Sequence, residues 1–314
     1  MLPGSNLYTA ASGGAATRPS ATPALPPAAA RARRAARGWA FWRPPAWARA
    51  LFCMSEELSY VLVTPHSIRK SRTGAILSRL ISRTALDLVT ARMFAPSQEL
   101  VSTFADSLIT TADPSHRDIQ DLLRSYVLKN LAPSEGHHPR SLMLVFKGEN
   151  AVEKVRGAVG HILHGDPTGQ TIRDTFGDYI TDDNGAVTYF EPAAIAPQSA
   201  EAAKKDLLLW ATHSDKEGGI LDSTIGFPAG AHVEKTLVLI KPDNFRVPST
   251  RPGGVMDVFS RSGLYIVGFK VHRMSVAQAE QFYGPVLDVL TDIHKGISGE
   301  RAAKALESEF GIPV

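Results

Sequence analysis

The stretch TLVLIKPDNF, residues 236–245, repeats a pattern found far upstream in SYVLVTPHSI, residues 59–68. Each is a short apolar run that ends at a proline, which is typical of a buried strand followed by a turn. The later run places Lys241 before its proline, and the earlier one places Thr64 there. The same strand and turn are therefore predicted twice, with a cation at only one of them.

Other residues recur at the same spacing, which indicates an internal duplication. Offsets of 177, 179 and 178 residues separate three matching pairs, namely Thr64 and Lys241, Arg72 and Arg251, and Ser97 and Ser275. A nearly constant offset predicts two copies of one structural unit.

The composition is that of a globular protein, because 44% of the 314 residues are apolar and 21% are charged. The chain contains no apolar run of the roughly 18 residues that a transmembrane helix needs, so we expect no membrane partner. Cys53 is the only cysteine and cannot form an internal disulfide. A reducing compartment is therefore predicted, and the cytoplasm fits it best.

Residues 1–53 are rich in Ala, Pro and Arg and lack acidic residues, so we interpret them as a disordered leader. Their seven arginines contribute +7, which leaves −4 for the rest of the chain out of the net charge of +3. No nucleic-acid-binding surface is therefore predicted beyond the leader. Two interpretations stay open: an organellar transit peptide, or a start assigned upstream of Met54.

Strands and helices alternate over residues 58–212, which we interpret as one domain. The predicted strands are LSYVLV, LDLVTARMF, SLMLVFKG, GDYIT and AVTYF, and Asn184-Gly185 between the last two is a hairpin signal. Helices are predicted for GAILSRLISR, 97–110, 116–130, NAVEKVRGAVG and SAEAAKKDLLLWA.

Residues 213–233 contain several glycines and are predicted to be a linker, after which the pattern restarts over 234–314. EKTLVLIKPD and LYIVGFKVHRM are predicted strands, and GGVMDVFSRSG is a predicted helix that ends at Gly263. SVAQAEQFYGPVLDVL is a predicted helix in which Ser275 and Gln278 have the spacing of a capping box.

These segments resemble the nucleoside diphosphate kinase family. The later copy carries TLVLIKPD, RPGGVMDVFSRSGLYIVGFK and MSVAQAEQFYG, and the earlier copy carries GENAVEKVRGAVGHILHGDPTGQTIRDTF, with Asp206 four residues before Trp210. The resemblance covers about 58–314, as one complete copy followed by the first half of another.

The resemblance implies an α+β fold in tandem, each unit a ferredoxin-like sandwich whose four-stranded antiparallel sheet has helices on one face. It also implies transfer of a γ-phosphoryl group from a nucleoside triphosphate to a nucleoside diphosphate through a phosphohistidine, with Mg²⁺ on the nucleotide. Assembly into a homo-oligomer is a further expectation.

Residue by residue, the first copy keeps part of the family's site. Arg156 and Arg173 fall at the helix and loop arginines, and Thr171 lies in the loop, so all three are candidate phosphate-binding residues. The alternative is that both arginines are ordinary surface residues. Three other family positions are changed: the lysine is Thr64, the threonine is Ile162 and the tyrosine is Phe104.

The nucleophilic histidine is missing from the first copy. Counting back from Trp210 places its position at Ile195, whereas aligning VTYFEP places it at Glu191. Isoleucine cannot accept a phosphoryl group. Glu191 could form an acyl phosphate, although a solvated acid at a strand end is the simpler interpretation.

The second copy keeps Lys241 and Tyr283 at nucleotide-binding positions, but residues 234–314 do not include the half that would hold the arginines and the histidine. We therefore expect a nucleoside diphosphate kinase family protein with impaired catalysis. The alternatives are a non-catalytic nucleotide-binding protein and a scaffold or interaction protein.

Overall fold

The structure is a computed structural model that describes residues 56–110, 117–134, 138–162, 168–222 and 224–313. The predicted leader and Cys53 lie outside these residues. None of the helices within the described ranges is both long and apolar enough to cross a bilayer.

Six strands belong to the first part of the chain, at Glu56–Val63 (β1), Asp87–Phe94 (β2), Ser141–Glu149 (β3), Asp178–Thr181 (β4), Val187–Glu191 (β5) and Ala194–Ile195 (β6). The helices of this part are Pro65–Arg69 (α1), Thr73–Thr84 (α2), Gln98–Ser107 (α3), Arg117–Asn130 (α4), Ala151–Val159 (α5), Ile172–Phe176 (α6) and Ala200–Glu217 (α7).

Four of these strands form an antiparallel sheet in the order β2-β3-β1-β6. In its register Val61 of β1 lies opposite Leu144 of β3, and Leu144 also lies opposite Ala91 of β2. On its other side β1 pairs with the two residues of β6. In this order β1 is central and β3 lies between it and β2, which is the ferredoxin-like arrangement. The predicted fold class is therefore confirmed.

Helices cover both faces of this sheet, and the expectation of helices on one face is wrong. Side chains alternate along a strand, so Val61 and Val63 of β1 pack with residues of α2 and α5. Tyr60 and Leu62 point to the opposite face, where they pack with residues of α3, α4 and α7. Both faces are thus apolar and removed from water.

Local patterns in the first part predict its elements well. The apolar stripe of α2 is buried as expected at Ile76, Leu77, Leu80 and Ile81. The hairpin joins β4 to β5, and its turn has Gly185 at a φ of 81°. Helix α7 continues through Glu217, so the predicted linker begins later than residue 213.

The last turn of α7 is held by contacts from another element. The carboxylate of Glu217 accepts hydrogen bonds from the backbone N–H and the hydroxyl of Ser97, both at 2.8 Å. His213 lies one turn earlier, with Nδ1 2.8 Å from the same carboxylate. These contacts explain why the helix extends beyond the end predicted from the sequence.

The later part of the chain has its predicted helices but not its predicted strands. Helices α8, Arg251–Arg261, and α9, Val276–Phe310, form as expected, and Ser275 and Gln278 make the capping box of α9. The strand predictions at 234–243 and 264–274 are wrong, because these residues carry no strand apart from a single bridge between Arg92 and Lys270. A strand requires a hydrogen-bonding neighbour, which local apolarity does not supply.

Part of this region packs on the first part. Met256 of α8 is buried in the apolar cluster that also holds α2 and α5. Arg140 donates a hydrogen bond to the carbonyl of Ile266, and the Leu221 N–H donates to the carbonyl of Val267 at 2.8 Å. Within the described helix α9, by contrast, no residue is buried.

Candidate functional site

The first candidate position, Ile195, lies in the core. It occupies strand β6, opposite Leu62 of β1, and its side chain is fully buried in the cluster that includes Trp210. Its side chain is entirely aliphatic and offers no atom to which a phosphoryl group could bond.

The second candidate, Glu191, is buried at the end of β5 with 3% of its surface exposed, so its interpretation as a solvated acid is wrong. Oε1 accepts hydrogen bonds from the Thr64 hydroxyl at 2.8 Å and from the Ala193 N–H at 3.1 Å. Oε2 accepts from the Tyr126 hydroxyl at 2.6 Å. Three donors compensate for the loss of hydration that a buried carboxylate suffers.

Thr64 connects three elements around this carboxylate. It follows β1 directly and caps α1, where its hydroxyl accepts from the Ser67 N–H at 3.3 Å. Its backbone N–H donates to the carbonyl of Ala193 at 3.2 Å, and the Ser67 hydroxyl donates to that same carbonyl at 2.9 Å. The side chain at position 64 thus has a structural role.

Ala193 has a φ of 59°, which is uncommon for a residue other than glycine. Such a conformation costs about 1–3 kcal/mol and persists where its surroundings hold it. Here the N–H binds Glu191 and the carbonyl accepts from Thr64 and Ser67. The network therefore fixes the backbone between β5 and β6.

Two titratable neighbours respond to this buried carboxylate. Burial raises the pKa of Tyr126 well above its usual value, and the negative charge and hydrogen bond of Glu191 raise it further. The His66 ring has Nδ1 4.0 Å from Oε2 of Glu191. Its pKa is lowered because partial burial outweighs the attraction of the carboxylate.

Arg173, one of the predicted phosphate-binding residues, makes structural hydrogen bonds. Its guanidinium donates to the carbonyl of Gly160 at the end of α5 and to that of Ala194 in β6, the latter at 3.1 Å. Burial and, to a smaller extent, the positive charge of Arg156 together lower its pKa to about 10. Nε of Arg173 is buried and makes no hydrogen bond within the described part of the chain.

Arg156 and Thr171, the other candidates in the first copy, differ in whether their side chains are available to bind a phosphate. Arg156 is exposed on α5, and its influence on the pKa of Arg173 shows that the two cations are neighbours. Thr171 caps α6, accepting from the Asp174 N–H at 3.1 Å in a reciprocal capping box. Its hydroxyl is therefore already engaged with the backbone.

Arg173 and Glu191 both line one open cleft of about 240 Å³. Its walls also include His161, Tyr179 and Phe190. This cleft brings together the Arg173 guanidinium, the His161 imidazole and the carboxylates of Asp174, Asp178 and Glu191.

The second-copy candidates lie elsewhere. Lys241 is exposed and precedes a 3₁₀ turn at Pro242–Phe245. Tyr283 lies on α9, 44% exposed, with its ring 5.0 Å from that of Phe282. Neither belongs to the cleft that Arg173 lines.

Sequence reasoning missed a second buried network, which joins strand β1 to helices α3 and α7. Asp206, noticed only for its spacing to Trp210, accepts hydrogen bonds from the hydroxyls of Tyr60 and Ser107, both at 2.7 Å. Burial raises the pKa of Asp206, although both hydroxyls oppose the shift. A tyrosine in an apolar strand was the available signal, since a buried phenol needs a polar partner.

Among the described residues, no group of three or more His, Cys, Asp and Glu side chains could hold a metal ion.

Comparison with known proteins identifies one family. Residues 234–288 match the family model described as nucleoside diphosphate kinase. A nucleoside diphosphate kinase of Legionella pneumophila strain Lens is 32% identical over 127 residues, which are 40% of this chain and 79% of that protein. That of strain Paris is 31% identical over 127 residues, with the same coverage of 40% and 79%.

Solved structures give matches of lower identity. One is a transition state mimic of nucleoside-diphosphate kinase from Borrelia burgdorferi with bound vanadate and ADP, at 19% identity and a TM-score of 0.38, covering 49% of this chain and 86% of that one. Another is an NDP kinase from Pyrobaculum aerophilum, at 20% identity and a TM-score of 0.38, covering 49% and 95%.

Proposed function

Because the chain belongs to the nucleoside diphosphate kinase family, we propose that it binds nucleoside di- and triphosphates without carrying a phosphoryl group on one of its own side chains. The observation that carries this proposal is that Ile195, one of the two residues that alignment places at the histidine position, is buried and aliphatic. A relay through the enzyme requires a nucleophilic atom held in line with the phosphorus.

Glu191 is the other residue at the histidine position, and its surroundings argue against a covalent role. Its carboxylate accepts from Thr64, Tyr126 and Ala193. Attack on phosphorus would require an oxygen to leave a donor and to approach an anionic nucleotide from a buried site. Both changes raise the barrier, because hydrogen bonds to charged groups are worth about 1.5–3 kcal/mol each.

Nucleotide binding is supported by the neighbouring cations Arg156 and Arg173. Two guanidinium groups that repel each other are stabilised by an anion held near both, and phosphate suits their donors. Two of the donors of Arg173 already bind carbonyls, so we expect weak binding, in the micromolar range. Mg²⁺ would accompany the nucleotide, as the family resemblance implies, and would offset charge on the phosphate oxygens.

The decisive experiment is incubation of the purified chain with ATP labelled in the γ-phosphate. We expect no protein-bound label, either acid-labile, as on a histidine, or hydroxylamine-sensitive, as on a carboxylate. A stoichiometric acid-labile adduct that maps to His161 would refute the proposal, since this ring lines the same cleft as Arg173. A hydroxylamine-sensitive adduct at Glu191 would refute it equally.

Calorimetry with ADP and Mg²⁺ tests the binding half of the proposal. Arg156→Ala should weaken ADP binding, because the exposed guanidinium is the one free to move to a phosphate. Lys154→Ala is the matched control, since Lys154 is exposed on the same helix, and it should leave the affinity unchanged. Equal affinities for both variants would remove the arginine pair from the site.

A purely structural or interaction role is the second candidate. Many large apolar side chains of the later part are exposed, Leu237 by 83% and Leu287 by 60% among them, as on a surface that meets a partner. A folded chain that binds no ADP would favour this role. Cytoplasmic or organellar location and homo-oligomer formation stay predictions.

A further inference from the structure

A stretch of the first part of the chain carries positive charges and no acidic residue. Between Glu57 and Asp87 the sequence contains five lysines and arginines, and it contains no aspartate or glutamate. The chain beyond the leader nevertheless has a net charge of −4. The positive charge is therefore concentrated locally, and the fold determines which of these side chains lie together.

Three of these cations surround the ring of His66. Arg69 and Lys70 are exposed at the end of α1, and Arg72 precedes the first residue of α2. Partial burial lowers the pKa of His66 against the attraction of Glu191. The positive charges of the three cations lower this pKa further. Because the effect of a charge falls off with distance, all three lie near the imidazole.

Arg140 adds a fourth cation beside Arg69. It lies just before β3, whose start is next to the end of β1 because Leu142 is paired with Val63. Only 7% of its surface is exposed, and its guanidinium donates to the carbonyl of Ile266. Burial lowers the pKa of Arg140, and the charge of Arg69 adds to this shift. The four cations therefore lie together at one end of the sheet.

We call these four residues, Arg69, Lys70, Arg72 and Arg140, the basic cluster. Within the described ranges of the chain, none of the four forms a salt bridge with a carboxylate. Arg72 and Arg140 donate to backbone carbonyls instead, with a distance of 2.8 Å between Arg72 and the carbonyl oxygen of Phe176. Like charges that are held together repel one another, and a bound anion relieves this repulsion.

We propose that the basic cluster binds an acidic segment of a partner polypeptide. Arg69 and Lys70 are its exposed members, and their long side chains are placed to donate to carboxylates of such a segment. Arg72 and Arg140 are held by carbonyls and keep the positive potential in place.

The charge of the remaining surface favours a short acidic segment over a nucleic acid. Since the chain beyond the leader totals −4 and the cluster contributes +4, the other residues carry −8. A nucleic acid that extends past the cluster would meet this negative charge, whereas a short peptide ends with the cluster. The inference does not depend on nucleotide binding, since the cluster contains neither Arg156 nor Arg173.

Chemical coupling tests this site, because Lys70 belongs to the cluster and the leader contains no lysine. The full chain is mixed with N-acetylated hexaglutamate and a carbodiimide, which joins a glutamate carboxylate to a lysine amine as an amide, and mass spectrometry maps the coupled lysines. We expect Lys70 to couple roughly fivefold more than Lys204, which is exposed on α7, because several cations raise the local concentration of the anion. This preference should disappear at about 1 M salt, where charges are screened.

Two variants separate the cluster from positive charge in general. Arg69→Ala should lower the coupling at Lys70 by roughly fivefold. Arg83→Ala removes an exposed cation near the end of α2 and should leave the coupling unchanged. Equal yields in the two variants would overturn the proposal. Equal coupling at Lys70 and Lys204 would overturn it as well, and that comparison needs no variant.

Protection of Lys70 from chemical acetylation distinguishes a peptide from a nucleic acid. Hexaglutamate should protect this amine more than hexathymidylate, a single-stranded DNA of similar charge. Greater protection by the DNA would overturn the proposal in favour of a nucleic-acid partner.

Discussion

The contact between helices α2 and α8 makes a sharp prediction about two adjacent glycines of α8. Gly253 faces α2, whereas a Cβ atom added to Gly254 would have nothing within 4 Å. We compare Gly253→Ala with Gly254→Ala, which add the same methyl group one residue apart. Both variants gain up to about 1 kcal/mol of helix propensity, so the difference between them reports the crossing alone.

The cost at Gly253 follows from the geometry of the crossing. The new Cβ would lie about 1 Å inside the 3.0 Å limit that real Cβ atoms respect, against a backbone carbonyl that cannot rotate away. Overpacking of this kind costs about 1–3 kcal/mol. Separation of the helices would also weaken the 2.9 Å hydrogen bond from the Ser78 hydroxyl to the carbonyl of Thr250, worth about 1 kcal/mol.

Native-state hydrogen exchange of the amides in α8 measures this effect, because it reports local opening. A difference of about 1–3 kcal/mol should make their exchange roughly 5- to 150-fold faster in Gly253→Ala than in Gly254→Ala. In Gly254→Ala the same amides should exchange at the original rate or more slowly. Equal exchange in the two variants would show that the close crossing does not hold α8, and would refute the reasoning.

Two buried or partly buried carboxylates give further predictions. Tyr126→Phe removes a donor from the buried Glu191 and should lower the free energy of unfolding, measured in urea, by about 1.5–3 kcal/mol. Tyr189 is exposed, and Tyr189→Phe should change the free energy of unfolding by less than about 0.5 kcal/mol. Similar losses in the two variants would contradict the role of the network. Burial would raise the pKa of Glu217, but its hydrogen bonds from Ser97 and its contact with His213 lower it below the usual 4.5. A carboxylate whose pKa is lowered by folding stabilises the fold at pH values above its unfolded-state pKa. The loss of unfolding free energy caused by Glu217→Gln should therefore be complete at neutral pH and should disappear as the pH falls below 4.5. A loss independent of pH would contradict this.

Local chemistry explains which elements the sequence could predict. The stripe at Ile76, Leu77, Leu80 and Ile81 is one face of a helix whatever it packs against, and all four are buried. The capping box of Ser275 with Gln278 likewise needs only residues of its own turn.

Some features of the candidate site could be predicted from the sequence, and others could not. That Ile195 carries no nucleophile in any conformation was evident from the residue itself. The burial of Glu191 was not evident, because its donors Thr64 and Tyr126 come from 127 and 65 residues away. A polar residue that ends a strand looks the same in sequence whether water or the protein supplies its partners.

The sequence by itself determined the helices and the hairpin turn, because each depends on side-chain spacing or chemistry within a few residues. Only the tertiary structure decided that 234–243 and 264–274 are not strands and that α2 crosses α8 at Gly74 and Gly253. Backbone hydrogen bonds between strands and close packing between helices require partners from distant parts of the chain, and the fold alone determines which partners meet.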